Sequence, residues 1–118
     1  MNHQLIDLSS DDLAALRENL REQFLFRREQ LQQLSASAMP RADTRLDRHS
    51  AARTEVRVKL AASARMVLAD VEAALGRMDS GDYGACRLCR RPIARERLMI
   101  VPQACFCARC QQVQGAGR

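Results

Sequence analysis

A chain of 118 residues can build one compact domain, or one elongated element with a small module, but not two ordinary cores. Apolar residues make up 47% of it, yet much of that is alanine, aromatics are only 3% and tryptophan is absent, so a bulky globular interior is excluded and paired long helices are favoured. The net charge of +5 is unevenly spread: residues 1–83 carry twelve Arg/Lys against thirteen Asp/Glu, whereas residues 84–118 carry seven Arg against Glu96 alone.

Met1 to Gln4 lack the basic and apolar pattern of a signal peptide, and no window approaches the ~18 apolar residues that span a bilayer. A soluble cytoplasmic protein is expected. The five cysteines all lie in the last third, in CxxC pairs with one left over, which points to metal rather than to a secreted disulfide framework.

In chain order, Ser9 and Ser10 followed by Asp11 and Asp12 form a helix start, with a serine oxygen to cap free N–H groups and acids to suit the positive end of the dipole. The first predicted helix spans about 10–35, with Leu13, Leu16, Leu20, Phe24, Leu31 and Leu34 at three- and four-residue steps and Arg27 interrupting the stripe. Pro40 closes it, and a polar tip of about 39–49 follows. A second helix is expected over about 50–79, with Val56, Leu60, Ala64, Val67, Val71, Leu75 and Met78 as its stripe and Glu55–Lys59 as an exposed i,i+4 pair. Two single-seam helices joined by a short polar segment must cover each other. The fold class is therefore mainly α: a long antiparallel two-helix coiled-coil hairpin over residues 1–80, each arm roughly 40 Å long at about 1.5 Å per residue. A monomer is expected, pairing of the stripes between two chains being the alternative.

Gly81 and Gly84 break the second helix ahead of the cysteines. Residues 81–113 then form a four-cysteine zinc finger, and 114–118 a flexible tail. Cys86 and Cys89 are followed, after seventeen residues, by Cys107 and Cys110. Two CxxC knuckles each bring two sulfurs to one tetrahedral ion, with short strands or a turn between them, so one structural Zn²⁺ is expected on Cys86, Cys89, Cys107 and Cys110. Four cysteines close the coordination shell and leave no position for reactive water, and His3 and His49 are not needed. Cys105 is the surplus thiol, either a redox sensor or a small residue beside the site. Zinc on four thiolates carries a formal charge of about −2, which neighbouring cations would offset. Arg87, Arg90, Arg91, Arg95, Arg97 and Arg109 exceed that need and could meet phosphates or an acidic protein surface.

The stretch GDYGACRLCRRPIARERLMIVPQACFCARC resembles the zinc-finger signature of the DksA/TraR proteins at Gly81, Tyr83, Gly84, Cys86, Cys89, Ile93, Arg97, Leu98, Pro102, Ala104, Cys107 and Cys110. The signature covers about a quarter of the chain. The resemblance implies a bacterial regulator that binds RNA polymerase, its hairpin entering the secondary channel and its tip acids acting near the catalytic magnesium. It maps those acids onto Asp47 and, less closely, Asp43: the family tip reads D-x-x-D-x-A, whereas this chain has one extra residue between the aspartates and His49 in place of the alanine. Arg90 stands where the family often has glycine, which would strain the knuckle if it needs a positive φ.

The resulting expectation is a non-enzymatic transcription regulator that modulates initiation without sequence-specific DNA binding and without membrane contact. A nucleic-acid-binding zinc ribbon and a thiol/zinc redox sensor centred on Cys105 are the alternatives. An enzyme is disfavoured, for the chain has no Gly-rich phosphate loop and no nucleophile elbow. The first helix is short for the family, and Asp47 could simply cap the second one.

Overall fold

The computed structural model describes residues 8–37 and 48–116. Residues 39–47 of the tip, with Asp43 and Asp47, lie outside that range, as do His3 and the side chain of His49. Four helices follow in order: α1 (Ser10–Ser37), α2 (Arg48–Ser80), α3 (Arg95–Ile100) and α4 (Ala108–Ala116).

Helix α1 begins where its capping chemistry puts it. Ser9 Oγ accepts the Asp12 N–H at 3.0 Å and Asp12 Oδ2 accepts the Ser9 N–H at 3.1 Å, a reciprocal capping box with aspartate in the acidic position. Helix α2 ends just as definitely. The Gly81 N–H reaches the Met78 carbonyl at 3.3 Å and the Asp82 N–H reaches Arg77 at 2.8 Å, the two bonds of a Schellman motif. That motif requires a left-handed residue after the helix, and Gly81 supplies it at φ 84°.

The long helices pack antiparallel, with Arg17 of α1 pairing with Asp79 of α2 at 3.1 Å. Leu16, Leu20, Ala64 and Val71 of the expected stripes are buried, and Leu13, Phe24, Val67, Leu75 and Met78 pack partly against the core. The stripe of α2 does not stay covered to its other end, where Val56 is 55% and Leu60 45% exposed. The register explains the difference. With Arg17 opposite Asp79 and an equal rise along both helices, Leu60 comes level with the last described turn of α1, and Val56 with positions beyond the described residues. The Glu55–Lys59 pair forms at 3.7 Å on the exposed side, where it contributes little.

Beyond Gly81 the chain folds back onto the base of the hairpin. Among the described residues it forms no strand; where short strands or a turn were expected there is one antiparallel bridge, Ala85 to Pro92. A proline inside so short a pair removes a donor from the ladder, and the segment beyond it turns into α3 instead. Helix α4 takes in Gln114 to Ala116, which the sequence reading assigns to a flexible tail. It starts at the second knuckle, with the Gln111 N–H bound to the Cys107 carbonyl at 2.8 Å.

One core joins the two parts: Leu16 and Leu20 of α1, Val71 and Ala74 of α2, and Tyr83, Cys86, Ile93, Leu98 and Ala104 of the C-terminal module. Asp12 clamps them from outside, accepting from both Arg95 Nε and Arg95 Nη2 at 2.9 Å. This fork of charge-assisted bonds holds the Asp12 carboxyl well below the usual carboxylate range, with the Ser9 N–H adding to the effect. No described helix is long and apolar enough to cross a membrane.

Tyr83 shows how tightly the module is seated. Its hydroxyl donates to the Pro102 carbonyl at 2.7 Å, and burial pushes its pKa from 10.0 up to about 12. A raised folded-state value means that the native state holds the proton more firmly than the unfolded chain. Stability should therefore be complete below pH 10.0 and fall as the pH rises towards about 12. Tyr83 is the one tyrosine in a chain without tryptophan, so phenolate absorbance reports it alone. The expected titration midpoint is near 12 and coincides with loss of helicity, whereas a midpoint near 10.0 would mean an accessible ring. Tyr83→Phe should remove the alkaline loss and cost about 1–2 kcal/mol at neutral pH through the orphaned Pro102 carbonyl.

Candidate metal centre

Each knuckle is built by backbone bonds that turn the chain around a cysteine. In the first, the Cys86 N–H reaches the Arg91 carbonyl at 2.8 Å and the Arg90 N–H returns to the Cys86 carbonyl at 2.9 Å. In the second, Cys107 and Cys110 sit at the start of α4, and Cys107 Sγ accepts the Cys110 N–H at 3.5 Å. The Arg87 N–H to the Cys105 carbonyl, at 2.9 Å, ties one knuckle to the other.

The result brings Cys86, Cys89, Cys107 and Cys110 together with all four sulfurs within 4.8 Å of one another. Cys89 Sγ and Cys107 Sγ are 3.8 Å apart. A tetrahedron with metal–sulfur bonds of about 2.3 Å has an edge of about 3.8 Å, so this spacing suits a thiolate-bound ion. The electrostatics agree. Burial raises the Cys86 thiol, but N–H groups of Cys89, Cys107 and Leu88 outweigh that and bring it down to about 6, while the Cys107 sulfur beside it pushes Cys110 up to about 12. Four sulfurs this close cannot all be thiolates without a cation among them. The donor set fits a soft divalent ion and leaves no protein-free position.

The fifth thiol stands apart. Cys105 lines a cleft between the module and α2 and is not part of the four-sulfur cluster. Nor are the arginines equivalent. Arg95 is committed to Asp12, and Arg97 donates from Nε to the Phe106 carbonyl at 3.1 Å, bracing the loop that leads into the second knuckle. The sequence reading missed Arg77, which is only 9% exposed, and Ala74. Alanine carries no bulk to mark a core position, and nothing in the periodicity of an arginine signals burial.

With hairpin and cluster in view, the class is clear: the chain has a DksA-like fold, a helical hairpin carrying a four-cysteine module at its base. Among solved structures it is similar to transcription factor DksA2 from Pseudomonas aeruginosa, with a TM-score of 0.75 and 20% identity over 92% of this chain and 86% of that one. No family model matches the sequence, and no curated protein matches it.

Arg90 adopts φ 67°, the strained left-handed conformation that its place after the second cysteine foreshadowed. A non-glycine residue pays about 1–2 kcal/mol there, against about 0.5–1 kcal/mol of extra chain entropy for glycine. Arg90→Gly should therefore stabilise the metal-loaded protein by about 0.5–1 kcal/mol in thermal unfolding, and Arg90→Val should destabilise it. A glycine variant that melts earlier would mean that the arginine side chain contributes more than its backbone costs.

Proposed function

We propose that the protein is a non-enzymatic regulator that binds bacterial RNA polymerase through the hairpin, within the secondary channel, and modulates initiation without reading DNA sequence. The observation that carries the reading is the likeness in fold to a transcription factor over nearly the whole chain. A second feature supports it: Leu25, Phe26, Val56, Val58, Leu60 and Met66 remain exposed on the two long helices. That much uncovered apolar surface suits a rod that docks on a protein. The cytoplasm is the compartment this partner implies, and one copy of the chain suffices to form the hairpin.

In this reading Cys86, Cys89, Cys107 and Cys110 hold one structural Zn²⁺, which supplies folding free energy to a module too small to hold together on its own core. Elemental analysis should find one zinc per chain. Cys86→Ser and Cys110→Ser should each lose it and disorder the module while most hairpin helicity survives; full zinc retention in both would refute the assignment. The redox alternative for Cys105 meets its own check, since Cys105→Ser should leave zinc release under mild peroxide unchanged if that thiol is inert.

A nucleic-acid-binding module remains the competing class, weakened because Arg95 and Arg97 are engaged within the fold. Capture of purified polymerase at a salt concentration that abolishes phosphate binding separates the two. At the tip, Asp47 is assigned the main electrostatic role and Asp43 a lesser one. Asp47→Asn should still compete for polymerase yet lose most of its effect on initiation, with Asp43→Asn milder. A double variant that binds and regulates like the wild type would leave both as ordinary loop acids.

A further inference from the structure

Which residues of the two long helices lie at the same level follows from their antiparallel register, in which Arg17 stands opposite Asp79. By an equal rise along both helices, Arg27 of α1 is level with Ala69 of α2, and a cut there divides the hairpin into a distal and a basal half. The distal half, 27–37 with 48–69, carries seven Arg/Lys against Glu29 and Glu55. The basal half, 10–26 with 70–80, carries Arg17, Arg21 and Arg77 against seven Asp/Glu. Residues 81–116 add six arginines against Asp82 and Glu96, which cancels the acidic excess of the base onto which they fold. The Arg95–Asp12 fork is one such neutralisation in direct contact. The net charge of the described residues, +5, is therefore left on the distal half of the hairpin and not on the arginine-rich module.

Distance makes this separation effective. From Arg48 to Ala69 the helix runs about 32 Å at about 1.5 Å per residue, several times the ~8 Å screening length of physiological salt. A partner approaching the distal half meets its positive charge without the compensating acids of the base. The charge is also wrapped around the shaft. Arg53, Lys59 and Arg65, all exposed, follow one another at six-residue steps, which places them about 120° apart around α2. Exposed apolar side chains are spread in the same way: Val56 and Leu60 share one side, whereas Val58 lies about 200° from Val56.

This combination selects the partner. An anionic membrane takes a helix with its cations and apolar groups on opposite faces, which the wrapped arrangement does not offer. Single-stranded nucleic acid stacks on free aromatic faces, and here the rings of Phe26 and Phe24 already carry the Arg27 and Arg28 guanidinium groups, 5.4 and 6.0 Å from their centroids. Phosphates would also leave Val56, Val58, Leu60 and Met66 without apolar contact. A protein surface that encloses the shaft meets both demands, with carboxylates for the cations and apolar groups for the aliphatic side chains. We propose that the distal half of the hairpin enters an acidic-walled cleft of its protein partner, the charge polarity of the rod setting the direction of entry. The inference rests on the reading that this partner is RNA polymerase, and adds the charge of the surface that receives the hairpin.

The test measures association and dissociation rates of the zinc-loaded full-length protein with purified RNA polymerase over a series of salt concentrations. Arg53→Glu with Arg65→Glu reverses two exposed distal charges and keeps good helix formers, while Arg21→Glu with Arg91→Glu makes the same change of charge outside the distal half. Helicity and zinc content equal to the wild type qualify each protein for comparison. The distal pair should slow association about tenfold or more at low salt, with the deficit fading as salt rises and dissociation changing less. The other pair should stay within about twofold of the wild type. The proposal is overturned if both pairs slow association equally, or if the wild-type rate is insensitive to salt. A short single-stranded RNA that binds the wild type but not the distal pair at physiological salt would assign the basic surface to nucleic acid and overturn it too. A distal pair that associates like the wild type ends this inference alone, whereas wild-type protein that fails to bind polymerase ends the polymerase reading and this inference with it.

Discussion

Cys86 belongs to two structures at once, and the rest of the molecule depends on that. Its sulfur is one of the four in the candidate metal cluster, while the residue is fully buried among Leu16, Leu20, Val71, Ala74 and Leu98. A knuckle of the candidate metal site and a helix–helix core therefore share a wall. Interiors pack like organic crystals, so a shift at either side is transmitted to the other rather than absorbed. The Asp12–Arg95 fork and the Tyr83–Pro102 bond close the same joint from outside and from within.

The basic charge of the C-terminal third looks different once its geometry is known. Composition alone makes it a surplus that invites phosphate. In the folded chain Arg95 neutralises Asp12 and Arg97 satisfies a backbone carbonyl. Two of the seven arginine side chains in that third are thus engaged within the fold itself. Net charge describes how a protein meets distant partners, whereas these arginines act within hydrogen-bond range.

Features governed by local chemistry were the legible ones. Ser9 and Asp12 marked the start of α1, Gly81 the end of α2, and paired CxxC spacing the gathering of four sulfurs, because each depends on residues within a few positions of one another. The strain at Arg90 was legible only through the resemblance, which sets glycine at that place. What could not be read depends on register. Val56 and Leu60 continue a helical stripe flawlessly and are nevertheless exposed, since periodicity says which face a residue occupies and not how much of that face is covered. Arg77 lies beyond sequence logic for a related reason: its burial comes from the module folding back over α2, a contact between segments whose composition does not announce it.

The same register divides the hairpin into two mechanical regimes. Buried side chains concentrate at the base, where the module adds a third layer, while Leu25, Phe26, Val56, Val58, Leu60 and Met66, each between 45% and 62% exposed, lie towards the other end. Fully burying a large apolar side chain is worth about 1.5–3 kcal/mol, and these are about half covered already, so covering all six would release on the order of 5–9 kcal/mol. Association costs about 4–15 kcal/mol in lost freedom. The two are comparable, so apolar contact along the shaft can offset much of the entropy of docking without producing permanent attachment. Apolar surface of this extent, distal to the joint with the module, is therefore of a size that favours reversible over permanent contact.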